Sequence, residues 1–251
     1  IHHEPCPKCG SKDNLARYDD GHAFCFGCNH YEKGGQLEDP KSKKTKRSKK
    51  DMIAPGDVRA LVKRKISETT CKKFGYTVST LNGKNVQVAP YRDQDGKVVA
   101  QHVRFQNKKF PWLGNKENLQ LFGQHLWKGG GKMLTITEGE LDCMSLSELW
   151  KNKWPVVSIA SGSKGGAKDI ATNLAWISKF DSVILCFDMD EPGQEAAQQC
   201  ASLLPIGKAK IVNMPLKDAN DMLVEGRGKE LIDCIWNAKE YRPDGMVTID
   251  D

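Results

Sequence analysis

Long apolar runs are missing from this 251-residue chain: no stretch approaches the ~20 residues that a membrane-spanning helix requires, and no secretory apolar core opens the sequence. A membrane or exported protein is therefore not expected, and the reading is cytoplasmic. No Walker-A sequence occurs, so a P-loop motor is not expected either. Nine cysteines fall short of a disulfide framework: four sit in two CxxC pairs, and Cys71, Cys143, Cys186, Cys200 and Cys234 are scattered, mostly within apolar segments. That usage belongs to a reducing compartment. The length suffices for one large domain or for two or three small ones with a genuine core.

Charge is present but unevenly placed. The formal net charge is +6, whereas Lys41-Ser-Lys-Lys-Thr-Lys-Arg-Ser-Lys-Lys50 alone carries seven positive charges, leaving the remainder close to neutral. Such a run repels itself and does not pack, which predicts a basic flexible linker over 35–52, with a small module before it and a large one after. Contact of the run with phosphates is an open alternative to a plain solvated tether.

In the small module, 1–34, Cys6-Pro-Lys-Cys9 and Cys25-Phe-Gly-Cys28 have the spacing of a four-cysteine zinc ribbon. Each CxxC turn presents two thiolates to one tetrahedral ion, and the intervening residues form the hairpin that joins the pairs. So short a module has too little apolar area to fold unaided, so one structural zinc would stabilise it. Redox CxxC chemistry is the rival reading. Asp20, His22, Phe24 and Tyr31 lie on the expected hairpin, where they either face solvent or touch nucleic-acid bases.

The large module ends in alternating patterns. Met133–Thr137, Val156–Ala160, Ser182–Phe187 and Lys210–Met214 read as strands, and Leu141–Trp150, 167–178 and Gln194–Leu204 as helices. Strands alternating with helices of this length imply βαβ units and a parallel sheet covered on both faces. Open α/β sheets build their sites at the carboxyl ends of the strands. Glu138, then Asp188 and Asp190, then Lys217-Asp218-Ala-Asn220-Asp221 all follow strands, with Asp188 and Asp190 on one side by period-two alternation. Acids sharing one edge repel one another unless cations are bound, and hard oxygen donors suit one or two magnesium or manganese ions acting on phosphates. Glu140 and Asp142 read equally as chemistry or as partners of a helix start. The loop Ser161-Gly-Ser-Lys-Gly-Gly166 is either a phosphate cradle or an ordinary connection.

Between tether and sheet, 53–131 is basic and mixed. Val58–Phe74 reads as helical, with a capped second helix near Ser67, and Val86–Tyr91 with Val98–Arg104 reads as a hairpin. Arg92, His102, Arg104, Lys108, Lys109 and Lys116, with Phe105, Phe110 and Trp112 interleaved, suit a single-strand groove or an exposed basic hairpin.

Glu138 with Asp188-x-Asp190, each after a parallel strand, resembles the Toprim pattern. The ribbon and tether narrow the resemblance to primases. Asp20-Gly-His22-x-Phe24-Cys25, Tyr91-Arg-Asp-Gln, Leu121-Phe-Gly-x-His-Leu-Trp127, Thr137-Glu-Gly-Glu140, Phe187-Asp-Met-Asp-Glu191 and Lys217-Asp-Ala-Asn220 resemble the primase half of the primase–helicases of short-tailed phages of the T-seven type. The resemblance covers essentially the whole chain. It implies a DNA primase, a template-directed RNA polymerase making short primers on single-stranded DNA in the bacterial cytoplasm. The implied partners are ribonucleoside triphosphates, a fused helicase and the replicative DNA polymerase. The implied fold is a Toprim-type parallel α/β core over 132–221, a basic α+β subdomain before it, a separate four-cysteine zinc ribbon, and a C-terminal helix with the start of a linker over 222–251.

The same resemblance implies zinc on Cys6, Cys9, Cys25 and Cys28, and template reading by His22 and Asp20. It implies magnesium on Glu138, Asp188 and Asp218 with Asp190 and Asp142 in support, and nucleotide or template contacts from Arg104, Lys108, Lys109 and Lys116. Phe110-Pro-Trp112 departs from the family pattern. With no Walker-A motif the helicase half is absent, and a fragment or a short form is expected. A Toprim nuclease and a non-catalytic zinc-ribbon DNA-binding protein are the alternatives.

Overall fold

Side chains that alternate in twos build the sheets, and cysteine pairs at turns build the small unit. The computed structural model describes residues 2–18, 22–32, 52–53, 56–107 and 109–242, and the chain divides into two units, Ile1–Thr45 and Lys46–Asp251. Asp20, Lys108, the expected tether apart from Met52, and the last nine residues lie outside the described part.

The first unit is an antiparallel sheet of β1 (His2–Glu4), β2 (Leu15–Arg17), β3 (Ala23–Cys25) and β4 (Tyr31–Glu32), in that order. Among the described residues its buried apolar side chains are Cys6, Leu15, Ala16, Ala23 and Cys25, which is too little to hold four strands in water. Arg17 crosses the sheet to Glu4 and Glu32, with Nη2 at 2.8 Å from the latter.

The second unit opens with a short 3₁₀ turn, Val62–Arg64, and α1 (Glu68–Phe74). Of the helical reading over Val58–Phe74, the second helix capped near Ser67 forms, whereas before it there is only the short 3₁₀ turn. Lys65 turns left-handed (φ 52°), and Ile66 pairs back onto Leu61, so the chain reverses before Ser67 caps α1 through Thr70 N–H. An antiparallel sheet follows: β5 (Thr77–Leu81), β6 (Lys84–Arg92), β7 (Val98–Phe105) and β8 (Trp112–Gly114). Its tightest turn is Asn82-Gly83, both at positive φ, as a two-residue hairpin requires.

The second sheet has the order β10-β9-β11-β12-β13, from β9 (Gly131–Thr137), β10 (Val156–Ser158), β11 (Phe180–Cys186), β12 (Ala209–Ile211) and β13 (Lys239–Glu240). Only β13 runs antiparallel, so the sheet extends past 221 with an edge strand that the sequence reading did not contain. One face is covered by α2 (Glu140–Leu149), α5 (Ala219–Val224) and α6 (Gly228–Trp236), the other by α3 (Gly166–Ile177) and α4 (Glu191–Ser202). Alternation on β11 shows both burials at once: Ile184 and Cys186 enter the first core, Val183 and Leu185 the second. Ala89, Tyr91 and Ala100 carry the antiparallel sheet into that first core, so the two sheets share one apolar body.

A polar joint fixes α1 to α2. One oxygen of Glu148 accepts from Ser67 N–H (3.0 Å), Ser67 O–H (2.8 Å) and Thr70 O–H (2.5 Å). Glu148→Ala leaves half-buried Ser67 and fully buried Thr70 without their acceptor, and urea unfolding of the second unit is expected to show a loss of about 2 kcal/mol; a loss below about 0.5 kcal/mol would assign the joint no stabilising role.

Candidate active site

The carboxyl ends of β9, β11 and β12 lie side by side in the sheet, and the acids after them converge by topology. Glu138 follows β9 directly. Asp188 lies two residues past β11, and Asp218 caps α5, accepting from Asp221 N–H at 2.7 Å. Together with Asp142 from α2 they line a cleft of about 580 Å³. Arg64, His102, Arg104, Phe110, Trp112 and Lys116 line the same cleft, with Arg64 Nη1 donating to Asn220 Oδ1 at 2.8 Å. The antiparallel subdomain thus supplies cations and aromatics, and the parallel sheet supplies carboxylates.

Electrostatics within the cleft follow from that crowding. Burial and the charge of Glu138, opposed by Lys217, push Asp188 up to about 6. Burial, then the charges of Asp218 and Asp188, hold Asp142 well above its usual range, although Asn220 N–H donates to it at 2.9 Å. Glu138 accepts from Ser163 N–H at 3.1 Å through Oε1, while its Oε2 is buried with no hydrogen-bond partner. A buried, unpartnered carboxylate oxygen among like charges is the environment that a divalent cation satisfies. Among the described residues no three of these acids bring oxygens within 4.8 Å of one another, as the four cysteines do. That spacing fits magnesium, which keeps several waters and takes only one or two carboxylates directly. Glu138, Asp188 and Asp218 are the oxygen donors from which one or two would hold such an ion, with waters completing its shell.

Asp190 is placed differently from the alternation argument. β11 ends at Cys186, so period-two geometry does not run on to 190. Asp190 instead caps α4, accepting from Gly193 N–H at 3.1 Å, and is exposed outside the cleft lining. Lys217 Nζ lies 3.3 Å from Asp188 and 3.5 Å from Asp190 and links the two. Gly193 is fixed by proximity, since an added Cβ would meet Asp188 O at 2.4 Å. The glycine-rich loop is also not an open phosphate cradle: Ala160 and Ser161 N–H both donate to Asp169 at 2.8 Å, and Ser163 N–H serves Glu138.

On the basic side, Arg104 and Lys116 line the cleft, with Arg104 over the Phe110 ring and Lys116 over Trp112. Lys109 is exposed and does not line it, and Arg92 turns to Gly96 O at 2.8 Å in its own hairpin. The sequence reading passed over Arg64, named Lys217 and Asn220 within a motif without giving either a role, and left Glu140 undecided. Glu140 is 7% exposed and accepts from Tyr91 O–H, so it is no mere partner of a helix start. Pairing of β6 and β7 brings Tyr91 and His102 to it, a long-range fact that local spacing does not carry.

In the ribbon, Cys6 and Cys28 sulfurs are 3.7 Å apart, as are those of Cys9 and Cys25. A tetrahedron of Zn–S bonds near 2.3 Å has edges of about 3.8 Å, so the four sulfurs fit zinc. His22 stacks on Tyr18, centroids 4.2 Å apart and planes at 8°, with Tyr31 at 6.0 Å on the same hairpin.

Comparison with known proteins follows the same division. Residues 56–114 match the family described as "Bacteriophage T7 DNA helicase/primase, N-terminal a+b fold", and residues 135–223 match the Toprim-like family. The crystal structure of the primase fragment of bacteriophage T7 primase-helicase is 37% identical, with a TM-score of 0.71, covering 94% of this chain and 99% of that one. The chain belongs to the T7-type phage primase family. The DNA helicase/primase of enterobacteria phage T3 is 37% identical over 99% of this chain but only 45% of its own length, so the chain spans about half of that curated relative. T7 primase domains, solved with an RNA/DNA hybrid, dTTP and the lagging-strand DNA polymerase, are 41% identical (TM-score 0.70), covering 74% of this chain and 94% of that one.

The raised acids make stability depend on pH. A carboxyl whose folded value lies above its unfolded one contributes most at low pH, and that contribution is lost as pH rises through the folded value, here about 6 for Asp188. Metal-free protein is therefore expected to melt lower at about pH 8 than at about pH 5.5, and magnesium to raise the melting temperature more at the higher pH. Asp188→Asn is expected to stabilise the metal-free second unit at high pH by about 1–2 kcal/mol after allowance for solvent screening. An equal magnesium effect at both pH values would remove the cation from this edge. For the ribbon, a strong chelator is expected to unfold the four strands while leaving the second unit's melting transition in place, as followed by circular dichroism.

Proposed function

We propose that this chain is a DNA primase domain that condenses ribonucleoside triphosphates on a single-stranded DNA template into short primers. The observation that carries the reading is one cleft lined by both signs of charge. Glu138, Asp142, Asp188 and Asp218 line it from the sheet edge and its helices, and Arg64, Arg104 and Lys116, with Phe110 and Trp112, line it from the basic subdomain. The acidic wall suits one or two magnesium ions, with manganese as a substitute. Such ions would stabilise the attacking 3′-oxygen and the departing pyrophosphate. Arg104 and Lys116 neutralise triphosphate or template phosphates, and the Phe110 and Trp112 rings offer faces on which bases stack. Lys217, paired with Asp188 and Asp190, keeps those carboxylates oriented toward the sheet edge.

The zinc ribbon, carrying a single structural ion, acts as the template-reading module, with His22 and its stacked Tyr18 presenting polar and aromatic edges; Asp20 and the basic residues Lys108 and Lys109 are assigned to template or nucleotide contact from the family resemblance. A charged tether over 35–52 raises the local concentration of that module at the template without fixing it. A C-terminally fused helicase, a replicative DNA polymerase receiving the primer, and the bacterial cytoplasm complete the setting.

Purified protein, single-stranded DNA of mixed sequence, magnesium and four ribonucleotides with one labelled are expected to give labelled di- to tetranucleotides only when template is present. Asp188→Asn is expected to lower synthesis by about a thousandfold while template affinity stays within about twofold. Equal loss of binding would make the acid structural, and magnesium-dependent cleavage of labelled DNA without synthesis would favour a Toprim nuclease.

A further inference from the structure

The two ends of the parallel sheet carry opposite charge. Its carboxyl edge holds the acids of the cleft. At the amino edge, the segments 127–132, 150–155, 178–181 and 205–208 lead into β9, β10, β11 and β12. They carry Lys128, Lys132, Lys151, Lys153, Lys179 and Lys208 against a single acid, Asp181, and all of these lysines but Lys208 are exposed. Glu240 of β13 approaches Gly207 at one end of the row. Because the chain outside the tether is close to neutral, this is a local concentration of charge and not a share of a basic surface. The segments are contiguous. Trp127 Nε1–H donates to Val156 O at 3.1 Å, a Cβ on Gly129 would meet Lys179 Cδ at 3.0 Å, and Lys208 Nζ donates to Ser178 O at 2.7 Å. Strands about 4.8 Å apart make the row from β10 to β12 about 14 Å long.

The turn before β10 is built to present its side chains. Lys151 and Asn152 both have positive φ (51° and 60°), which a lysine rarely adopts. Asn152 holds the turn in place: its N–H donates to Ser147 O at 2.7 Å and its Nδ2 to Thr70 Oγ1 at 2.9 Å, while its Oδ1 accepts from Ser147 O–H at 2.8 Å. Its carbonyl accepts from Lys73 Nζ. So anchored, the turn displays Lys151, Lys153 and the indole of Trp154, which is 48% exposed. A merely solvated lysine face gains nothing from an exposed indole, and an acidic protein segment brings charge but no ring to stack on it. Cations interleaved with an aromatic suit the phosphates and bases of a single strand. We propose that the amino edge of the parallel sheet is a second binding face for single-stranded DNA, separate from the cleft, with its lysines on phosphates and Trp154 against a base. The proposal rests on the primase reading for the identity of that strand, the template where it continues beyond the cleft.

The test is fluorescence anisotropy of the whole chain with a labelled oligothymidylate of about thirty residues, over a salt series starting near 50 mM. K151E/K153E/K179E is expected to lower affinity about tenfold at low salt and to make the log–log salt slope shallower by about 2, three lost contacts at about 0.7 each. K97E/K168E/K229E, which reverses three exposed lysines elsewhere on the second unit, is the charge-matched comparison and is expected to stay within about threefold of wild type. W154A is expected to lose about fivefold with the salt slope unchanged, because stacking releases no counterions. All these side chains are exposed, so circular dichroism is expected to stay native. Equal losses in the two triple variants, or unchanged affinity in W154A, would overturn the proposal. Polyglutamate bound more tightly than the oligonucleotide, and released by K151E/K153E/K179E, would overturn it in favour of an acidic protein segment. Because binding is read without synthesis, absence of primers with this face-dependent binding intact would count against the primase reading alone.

Discussion

Carboxylates gathered at one sheet edge repel each other, and much of this molecule is arranged around that repulsion. Glu138, Asp188 and Asp218 arrive from three neighbouring strands because a parallel sheet with crossover helices delivers its loops to the same side. Their mutual charge and partial burial raise Asp188 to about 6 and Asp142 well above its ordinary value. Lys217 from the β12–α5 connection and backbone N–H groups of Ser163, Asn220 and Asp221 offset part of it. One buried oxygen of Glu138 stays without a partner, and a hard cation is what that oxygen fits.

The second constraint is that the cationic wall must stay in register with the acidic one, although it belongs to a different sheet. Apolar continuity supplies the bulk of that, through Tyr91, Ala89 and Ala100 packed into the same core as α2 and α5. Two carboxylates on α2 add direction: Glu148 at its C-terminal end holds the cap of α1, and Glu140 at its N-terminal end holds Tyr91 and His102. One helix therefore ties both elements of the basic subdomain to the strand that carries Glu138.

Much of this was legible in the sequence, for identifiable reasons. CxxC pairs state their geometry locally, and runs such as Ser182–Phe187 state burial on both faces, so the ribbon and the parallel sheet follow from spacing. Glu138 and Asp188 follow from the rule about strand ends. Where the reading failed, the deciding contact was distant in sequence or a strand stopped short. Asp190 lies beyond the end of β11 and caps a helix, so it shares Lys217 with Asp188 without the strand alternation that the sequence argument used. The loop after β10 could be a phosphate cradle or an ordinary connection by sequence, and Asp169 and Glu138 take the N–H groups of Ala160, Ser161 and Ser163. Glu140 stayed undecided between chemistry and a helix start because its partners, Tyr91 and His102, are 49 and 38 residues away. The helical pattern over Val58–Phe74 holds after Ser67 and gives way before it to tertiary pairing of Leu61 with Ile66.

The measurement that tests the central claim most directly is the location of manganese by anomalous scattering in crystals of the chain grown with that ion. The account predicts density between Glu138, Asp188 and Asp218 on the acidic wall, within bonding reach of Glu138 Oε2, and its loss in Asp188→Asn. Manganese found only elsewhere on the molecule, with those three carboxylates ordered and unliganded, would contradict it.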